Sequence, residues 1–233
     1  MLVNSTLLPP INYVALQNYR PCSPAPLQLG DLVFWLIGHS GTKEKELDDA
    51  VAQSGGSQEG AQSVFHVSLI VETNPLVIVH ATGTDGVTRE PFSKAYHRFL
   101  SEHSDLTVRF FAVNQEPQIK EAAAKASQEK VGCPYNDIFS DTCVDSRDQE
   151  AYYCCQLVRK CYSAVLGREI FPLRKLNFRT AEGTIIPGWV EYFAKRKRSI
   201  PEQETGSHPS DLFKSQAVSE IEDLSVEGLL SKV

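Results

Sequence analysis

Residues 152–158 read Tyr-Tyr-Cys-Cys-Gln-Leu-Val, and this stretch decides the fold. It opens a segment whose apolar residues recur at helical spacing: Cys154, Leu157, Val158, Cys161 and Val165. A helix is therefore predicted from about 154 to 166, with Gly167 ending it. A thiol in the first turn lies near unpaired N–H groups and the positive end of the helix dipole, which favour the thiolate. The motif is typical of a cysteine nucleophile, although a small buried hydrophobe is the more common role of a free cysteine.

The two adjacent cysteines point in different directions. Cys154 shares the apolar face of the predicted helix, the face that packs against a sheet, whereas Cys155 is rotated from it by about 100°. We therefore predict that Cys154 is the nucleophile. The six cysteines of the chain show no paired C-x-x-C spacing, so free thiols are favoured over a zinc site. We expect neither a metal nor a cofactor.

The composition is that of an ordinary globular protein. Of 233 residues, 42% are apolar and 22% are charged. The net charge of −6 gives no reason to expect nucleic acid or an anionic membrane as a partner. No apolar run reaches the roughly 18 residues of a membrane-spanning helix. No lysine or arginine precedes Arg20, and Pro9-Pro10 interrupts the apolar start, so no secretory signal is recognised and a cytoplasmic protein is expected.

Strand signals come first along the chain and helix signals come later, which indicates an α+β fold. Strands are predicted at 30–36, 65–71, 76–81 and 106–113, and further helices at 92–100, 118–131 and 187–197. We divide the chain into an irregular arm (1–27), a catalytic domain (28–198) with a mobile insertion at 38–63, and a C-terminal extension (199–233).

A histidine on the second predicted strand is the candidate base. Four apolar residues of strand 65–71 share one face, so His66 projects from the other. If this strand pairs antiparallel with strand 76–81 through a connection centred on Thr73, His66 lies opposite His80. A thiol, an imidazole and a polar orienting group are the members of a cysteine–histidine triad. Taken alone, each histidine is more often a satisfied residue of a sheet.

Several stretches, in this order, resemble the circularly permuted branch of the NlpC-type papain-like cysteine peptidases, the YiiX-like group. They are Gly-Asp-Leu-Val-Phe at 30–34, Phe-His-Val-Ser-Leu at 65–69, Val-Ile-Val-His-Ala at 77–81, Gly-Cys-Pro-Tyr-Asn-Asp at 132–137 and Tyr-Cys-Cys-Gln-Leu-Val at 153–158. The segments 183–193, 200–201 and 206–212 are similar as well. The resemblance covers roughly residues 28–215 without the insertion. It implies a permuted papain-like fold, with an antiparallel sheet or barrel packed against helices.

The resemblance also implies roles for single residues. The nucleophile aligns with Cys154, the base with His66, the third triad residue with His80, and a tyrosine that helps to hold the oxyanion with Tyr135. Two departures stand out. His80 takes the place of an acid that is frequent in the family. Cys155-Gln156 replaces a Ser-Glu pair, which leaves Cys155 as a competing nucleophile or redox partner.

These residues predict a cysteine hydrolase that cleaves an amide bond in a small peptide-like substrate through a thioester intermediate. Two alternatives remain open. One is an acyltransferase, thioesterase or lipid acyl hydrolase similar to the lecithin:retinol acyltransferase-like proteins, which would carry a fatty acyl adduct on Cys154. The other is an inactive binding module on the same fold, in which all six cysteines would react equally. The oligomeric state is left open.

Overall fold

The computed structural model describes residues 26–38, 46–55, 62–180, 182–222 and 224–230. Most of the predicted N-terminal arm therefore lies outside the described residues, as do large parts of the predicted insertion. The described part of that insertion contains the helix α1 (Glu46–Ser54), with Ala50 and Ala52 buried.

The remaining elements follow in chain order. The strands are β1 (Leu32–Gly38), β2 (Gln62–Thr73), β3 (Leu76–Thr82), β4 (Gly86–Pro91), β5 (Thr107–Val113), β6 (Arg174–Lys175), β7 (Thr205–Gly206) and β8 (Val218–Glu220). The helices after α1 are α2 (Phe92–Glu102), α3 (Pro117–Gln128), α4 (Cys154–Leu166), α5 (Pro187–Lys195), α6 (Pro209–Phe213) and α7 (Val226–Leu230). In the described part of the chain, no helix combines the length and apolar character needed to cross a bilayer.

Six strands form one sheet in the order β4-β3-β2-β1-β5-β8. Each neighbouring pair is antiparallel. Strands β6 and β7 form a separate two-stranded ribbon. With helices packed on the sheet, this arrangement confirms the predicted α+β class.

One face of the large sheet is covered by α3, α4 and α6. Phe34, Val67 and Val79 are fully buried there, in one cluster with Leu157 and Val158 of α4. Each such side chain contributes about 1.5–3 kcal/mol when it is fully buried. The apolar stripe of α4 that the sequence indicates is therefore the surface that fixes this helix on the sheet.

The opposite face of the sheet is covered by α2. Phe92, Ala95 and Phe99 recur at helical spacing along α2 and are buried. They pack with Trp35 of β1 and Ile78 of β3 in a second cluster. The sheet is thus buried on both faces, and a side chain on β2 meets either α4 or α2.

Strands β2 and β3 are paired in a different register from the expected one. Their connection is the two residues Asn74 and Pro75, and the ladder places Leu69 opposite Val79. The expectation that His66 lies opposite His80 is wrong, because the turn is centred after Asn74 and not on Thr73. Beyond Leu69 and Val79 the two strands have no further ladder partners in each other, so they part at this point.

Two edge strands were not predicted from the sequence. Strand β4 lies in a segment to which no element was assigned, and its residues Thr88, Arg89 and Glu90 give no apolar alternation. Strand β8 lies in the predicted C-terminal extension, where it pairs with β5 at the other edge of the sheet. Residues beyond 198 thus contribute both to the sheet and, through α6, to the core.

A buried ion pair fixes the start of β1 against α3. Lys120 Nζ donates to Asp31 Oδ1 at 2.7 Å, and the backbone N–H groups of Gln28 and Val113 donate to the same carboxylate. Gly30 precedes it with φ +85°, and a Cβ there would lie 2.4 Å from the carbonyl oxygen of Lys120. Glycine is therefore required at this corner.

Candidate active site

Helix α4 begins at Cys154, as the sequence predicts. Tyr153 at its N-cap has extended backbone (φ −97°, ψ 166°), and no side chain caps the first turn. The N–H groups of that turn therefore remain available to neighbouring groups. Gly167 ends the helix in the left-handed conformation, with φ 67°.

The thiol of Cys154 has a pKa below its ordinary value. The interaction with the neighbouring side chain of Cys155 is the largest cause; burial opposes it, and the backbone N–H groups of Val67 and Cys155 lower the pKa further. Cys155 Sγ also lies 3.2 Å from the carbonyl oxygen of Ser207. The sulfur of Cys154 therefore accepts hydrogen bonds that stabilise its thiolate.

The other described cysteines are shifted in the opposite direction. Burial raises the pKa of Cys133 and Cys143, and raises that of Cys161 to about 12. Burial and the neighbouring thiol of Cys154 raise the pKa of Cys155 well above its ordinary value. Among the described cysteines, Cys154 is thus the one with the greatest thiolate character.

A buried chain of hydrogen bonds begins at His66. Its Nε2 lies 2.9 Å from Nδ1 of His80, and Nε2 of His80 lies 2.9 Å from Oε1 of Glu90. Arg98 of α2 donates to both oxygens of Glu90, at 2.7 and 3.2 Å. Ser68 Oγ lies 3.3 Å from Nδ1 of His80. The two predicted histidines are therefore in direct contact, and an ion pair supports the second one.

This chain assigns the protons of both imidazoles. An ionised carboxylate only accepts hydrogen bonds, so Nε2 of His80 carries the hydrogen that is donated to Glu90. In neutral His80, Nδ1 is then the acceptor, and Nε2 of His66 must be the donor. Nδ1 of His66 keeps its lone pair. It is the one ring atom of the pair that is left to take up a proton.

The charges in this chain are set by burial and by Arg98. Burial lowers the pKa of His66 well below its ordinary value, and His80 and Arg98 lower it further. Burial also lowers the pKa of His80, against the effect of its hydrogen bond to Glu90. Burial alone would raise the pKa of Glu90, but its hydrogen bonds with His80 and Arg98 hold that pKa at about 2. Two neutral imidazoles thus form a hydrogen-bond chain that ends at an ionised carboxylate.

Tyr135 lies beside the start of α4. Its backbone forms a bridge with Tyr152, and the backbone N–H of Tyr152 donates to the carbonyl of Pro134 at 3.2 Å. Burial raises the pKa of the Tyr135 phenol well above its ordinary value, and the nearby Cys154 raises it further. The phenol is therefore a neutral hydrogen-bond donor close to the thiol.

Cys154 and Tyr135 line the same cavity. The other walls are mainly aromatic and include Phe139, Phe178 and Trp189. The cavity has a volume of about 30 Å³, which is room for about one water. The candidate nucleophile and the candidate oxyanion donor thus face the same small space.

A histidine that the sequence did not single out also lines this cavity. Nδ1 of His208 lies 2.7 Å from Ser210 Oγ, and its Nε2 lies 2.9 Å from the carbonyl oxygen of Val51. Burial lowers its pKa to about 3, and Arg174 lowers it further. Because both ring nitrogens are bonded, His208 holds α1 against α6 and offers no free basic atom.

The Cys154 thiol and the two histidines lie on opposite faces of β2. Cys154 belongs to the cluster under α4, whereas the ring of His66 packs on Phe65 and on Phe99 of α2. The contacts of these residues include no direct hydrogen bond between Cys154 and His66. What joins them is the N–H of Val67, the residue after His66, at the point where β2 and β3 part.

Sequence reasoning missed Glu90 and Arg98. Glu90 lies on the unpredicted strand β4, whose ladder pairs His80 with Thr88 and Ile78 with Glu90. Period-2 alternation places Thr88 and Glu90 on the face that carries His80. Recognising β4 as a strand would therefore have brought a carboxylate to the histidine pair.

The fold is similar to a solved structure whose title reads crystal structure of metalloprotein yiiX from Escherichia coli O157:H7. The TM-score is 0.58 at 19% sequence identity, and the alignment covers 84% of this chain and 97% of that chain. At this level of identity the similarity concerns the fold.

That title raises the question of a metal ion. In the described part of this chain, the group with metal-ligand chemistry is Asp48, Glu102 and His103, whose donor atoms lie within 4.8 Å of one another. Nε2 of His103 lies 3.2 Å from Oδ2 of Asp48 and already bonds it directly. The imidazole of His103 and the two carboxylates could supply one nitrogen and two oxygen ligands to a metal ion.

No curated protein matches the chain. The family model described as permuted papain-like amidase enzyme, YaeF/YiiX, C92 family, matches residues 26–222. The match spans the elements from β1 to β8 and includes all four predicted site residues. It confirms the resemblance and the permuted papain-like fold that were inferred from the sequence. The chain therefore belongs to the permuted papain-like amidase family.

Proposed function

We propose that this chain is a cysteine-dependent amidase that hydrolyses an amide bond in a small peptide-like substrate. Cys154 is the nucleophile and His66 is its base. His80 orients His66, and Tyr135 donates to the oxyanion. Family membership supports amide hydrolysis. The roles of the four residues are proposed from the resemblance of the sequence motifs and from the contacts described above.

The observation that carries the proposal is the position of Cys154 at the first residue of α4, in the wall of a cavity that Tyr135 also lines. Cys154, at the open first turn of α4, has a lowered pKa, whereas Cys155 has a strongly raised one. A thiolate is the attacking form of cysteine, so this arrangement selects one of the two residues. A cysteine that only fills the core would gain nothing from hydrogen-bond donors aimed at its sulfur.

The reaction follows from the free atom of the histidine pair. Nδ1 of His66 takes the proton of Cys154, and the sulfur bonds to the carbonyl carbon of the amide. The C–N bond then breaks while Nδ1 gives its proton to the departing nitrogen, which leaves a thioester. Water adds to the thioester, its proton passes to Nδ1, and the sulfur departs and recovers that proton as the carboxylic acid is released.

One feature supports this proton path. Cys154 accepts the N–H of Val67, the residue after His66, so the sulfur lies beside the backbone of the base. Catalytic contacts of this kind are commonly looser before substrate binds and shorten in the complex.

The oxyanion has two sources of stabilisation in this proposal. Uncapped N–H groups at the start of α4 point toward the space beside Cys154. The neutral phenol of Tyr135 lines the same cavity. Preorganised donors of this kind are typically the largest contribution to acyl-transfer catalysis.

The test is to trap the acyl-enzyme. The protein is mixed with p-nitrophenyl acetate, quenched in acid and analysed by intact mass and peptide mapping. We expect one acetyl group on Cys154, none in Cys154→Ala, and an unchanged site in the matched variant Cys155→Ala. Acetylation of Cys155, or equal acetylation of several cysteines, would contradict the assignment.

The same measurement separates amide hydrolysis from chemistry on lipids. A mixture of an N-acetyl-dipeptide ester and a palmitoyl ester is offered to the protein in equal amounts. Preferential peptidyl adducts on Cys154 are expected, because the cavity is short and walled by rings. Preferential palmitoyl adducts would move the assignment to acyl transfer or hydrolysis on lipids.

A further inference from the structure

Three side chains with metal-ligand chemistry meet where α1 lies beside the end of α2. Asp48 belongs to α1, Glu102 is the last residue of α2, and His103 is the C-cap that follows it. Their donor atoms all lie within 4.8 Å of one another. Ligands about 2.1 Å from one ion lie about 3–4 Å apart, so a small closing movement brings these three atoms onto a single ion.

His103 is held in the way that a metal ligand requires. Its side chain is only 6% exposed, and its ring packs on Phe65 with the centroids 5.1 Å apart. Its backbone is fixed on both sides, because its N–H donates to the carbonyl of Phe99 at 2.8 Å and its carbonyl accepts from the N–H of Leu106 at 3.1 Å. Nε2 lies 3.2 Å from Oδ2 of Asp48, a separation that fits two ligands of one ion. The tautomer with its proton on Nδ1 leaves the lone pair of Nε2 for that ion.

The chemistry of the group matches a divalent transition metal. Two ionised carboxylates balance the charge of a divalent cation, and the imidazole adds a neutral nitrogen ligand. Mixed nitrogen and oxygen ligands suit the ions from Mn²⁺ to Zn²⁺, whereas Mg²⁺ and Ca²⁺ favour oxygen ligands. Asp48 and Glu102 are half-buried, so an ion can enter from solvent and water can complete its coordination.

The helix that carries Asp48 also borders the candidate active site. Val51 and Ser54 of α1 line the cavity beside Cys154. The carbonyl oxygen of Val51 lies 2.9 Å from Nε2 of His208, which lines the same cavity. An ion bound by Asp48 would therefore fix a helix that forms part of this wall.

We propose that Asp48, Glu102 and His103 bind one divalent transition-metal ion, and that this ion holds α1 against the end of α2. The expectation that the chain binds no metal rests on the spacing of its cysteines, which do not belong to this group. The inference does not depend on the proposed amidase activity, because none of the three residues takes part in that reaction.

The experiment titrates manganese chloride into the full chain after removal of bound metal with EDTA, and records the EPR signal of free Mn²⁺. Mn²⁺ is chosen because thiols, which would compete for zinc, are poor ligands for it. We expect one tight site per chain. Asp48→Asn and Glu102→Gln keep the size of the half-buried side chains, and each should weaken binding at least tenfold. The matched control Glu121→Gln, at an exposed position of α3, should leave binding unchanged.

His103→Gln removes the nitrogen ligand and should also weaken Mn²⁺ binding at least tenfold. Its control is His97→Gln, because His97 is exposed on α2 and bonds the carbonyl of Ser93. Hydrogen exchange measured by mass spectrometry reports on α1, whose amides should exchange more slowly with Mn²⁺ in the native chain and not in Glu102→Gln. Absent binding, or equal binding by the native chain, Asp48→Asn and Glu102→Gln, would overturn the site. Tight binding without slower exchange would overturn the effect on α1.

Discussion

His66 and His80 share a 2.9 Å hydrogen bond although their strands have already parted. Nothing in the β2–β3 ladder holds the two rings together at this level. Their relative position depends on Glu90, which fixes the ring of His80, and on Arg98, which fixes Glu90. In the proposed mechanism, the base His66 is therefore oriented by Glu90 and Arg98, which act on it through His80.

Replacing Glu90 by glutamine tests this dependence. An amide can donate to His80, which allows the wrong tautomer and removes the acceptor role of Nδ1. We expect kcat to fall about 10²- to 10⁴-fold, with a smaller effect on KM. The matched control is Glu72→Gln, which removes an exposed carboxylate paired with Arg89. Equal activities of the two variants would remove Glu90 from the site.

Glu90 also makes a pH-dependent contribution to stability. Its pKa is about 2 in the folded protein, against an ordinary value of 4.5. The folded state thus binds fewer protons than the unfolded state between these values, and the contribution is complete above about pH 4.5 and lost as pH falls through about 2. The shift corresponds to about 3 kcal/mol. Urea unfolding should show the native protein and Glu90→Gln converging in stability below pH 4.5; a constant difference down to pH 2 would contradict this.

The contact between the two adjacent thiols can be tested through the reactivity of Cys154. Cys155→Ala removes the side chain that lowers the pKa of Cys154 most, so that pKa should rise. We expect its labelling by iodoacetamide at pH 7 to slow about three- to tenfold, the effect of losing one hydrogen bond. Cys161→Ala is the control, because that buried thiol lies elsewhere on α4. An unchanged rate in Cys155→Ala would show that this hydrogen bond does not activate Cys154.

Tyr135→Phe isolates the phenol from the ring. If the hydroxyl donates to the oxyanion, kcat should drop about 10²-fold with little change in KM. The control is Tyr152→Phe, whose hydroxyl donates to Glu150 at 2.6 Å. A rise in KM with unchanged kcat would mean that Tyr135 binds substrate only in its ground state.

The ion pair of Asp31 and Lys120 is a stability element remote from the reacting groups. Lys120→Met leaves a carboxylate that is 1% exposed without its cation. The loss should cost about 3–5 kcal/mol of unfolding free energy, measured by urea denaturation. Lys125→Met, at an exposed position of the same helix, is expected to have little effect. If both variants unfold alike, the buried pair contributes no more than a surface lysine.

Sequence reasoning succeeded where apolar periodicity is strong. Helix α4 starts and ends at the predicted residues because an apolar stripe runs along it and Gly167 stops it. It failed at β4 and β8, whose short, polar sequences carry no alternation. The same failure hid Glu90, since the carboxylate is recognisable only once β4 is placed beside β3.

The contact between His66 and His80 shows a second limit of prediction from sequence. Both were identified from the strand pattern and the resemblance, yet their register depends on a two-residue connection that shifts every partner along β3. A change of one residue in the centre of a turn moves the cross-strand partners by two positions. Which side chains meet across two strands is therefore a property of the turn and of the third strand, neither of which the two motifs contain.

The walls of the cavity are completed late during synthesis of the chain. Cys154, both histidines and Glu90 are synthesised before the segments that enclose them, including Phe178, Trp189 and His208. The carbonyl partner of the Cys155 thiol is Ser207, which belongs to the same late part of the chain. A nascent chain that stops short of α6 thus holds its candidate catalytic residues without all the walls of the cavity. The segments after α4 complete the walls of the site. A truncated product would keep the Cys154 thiol while losing these walls.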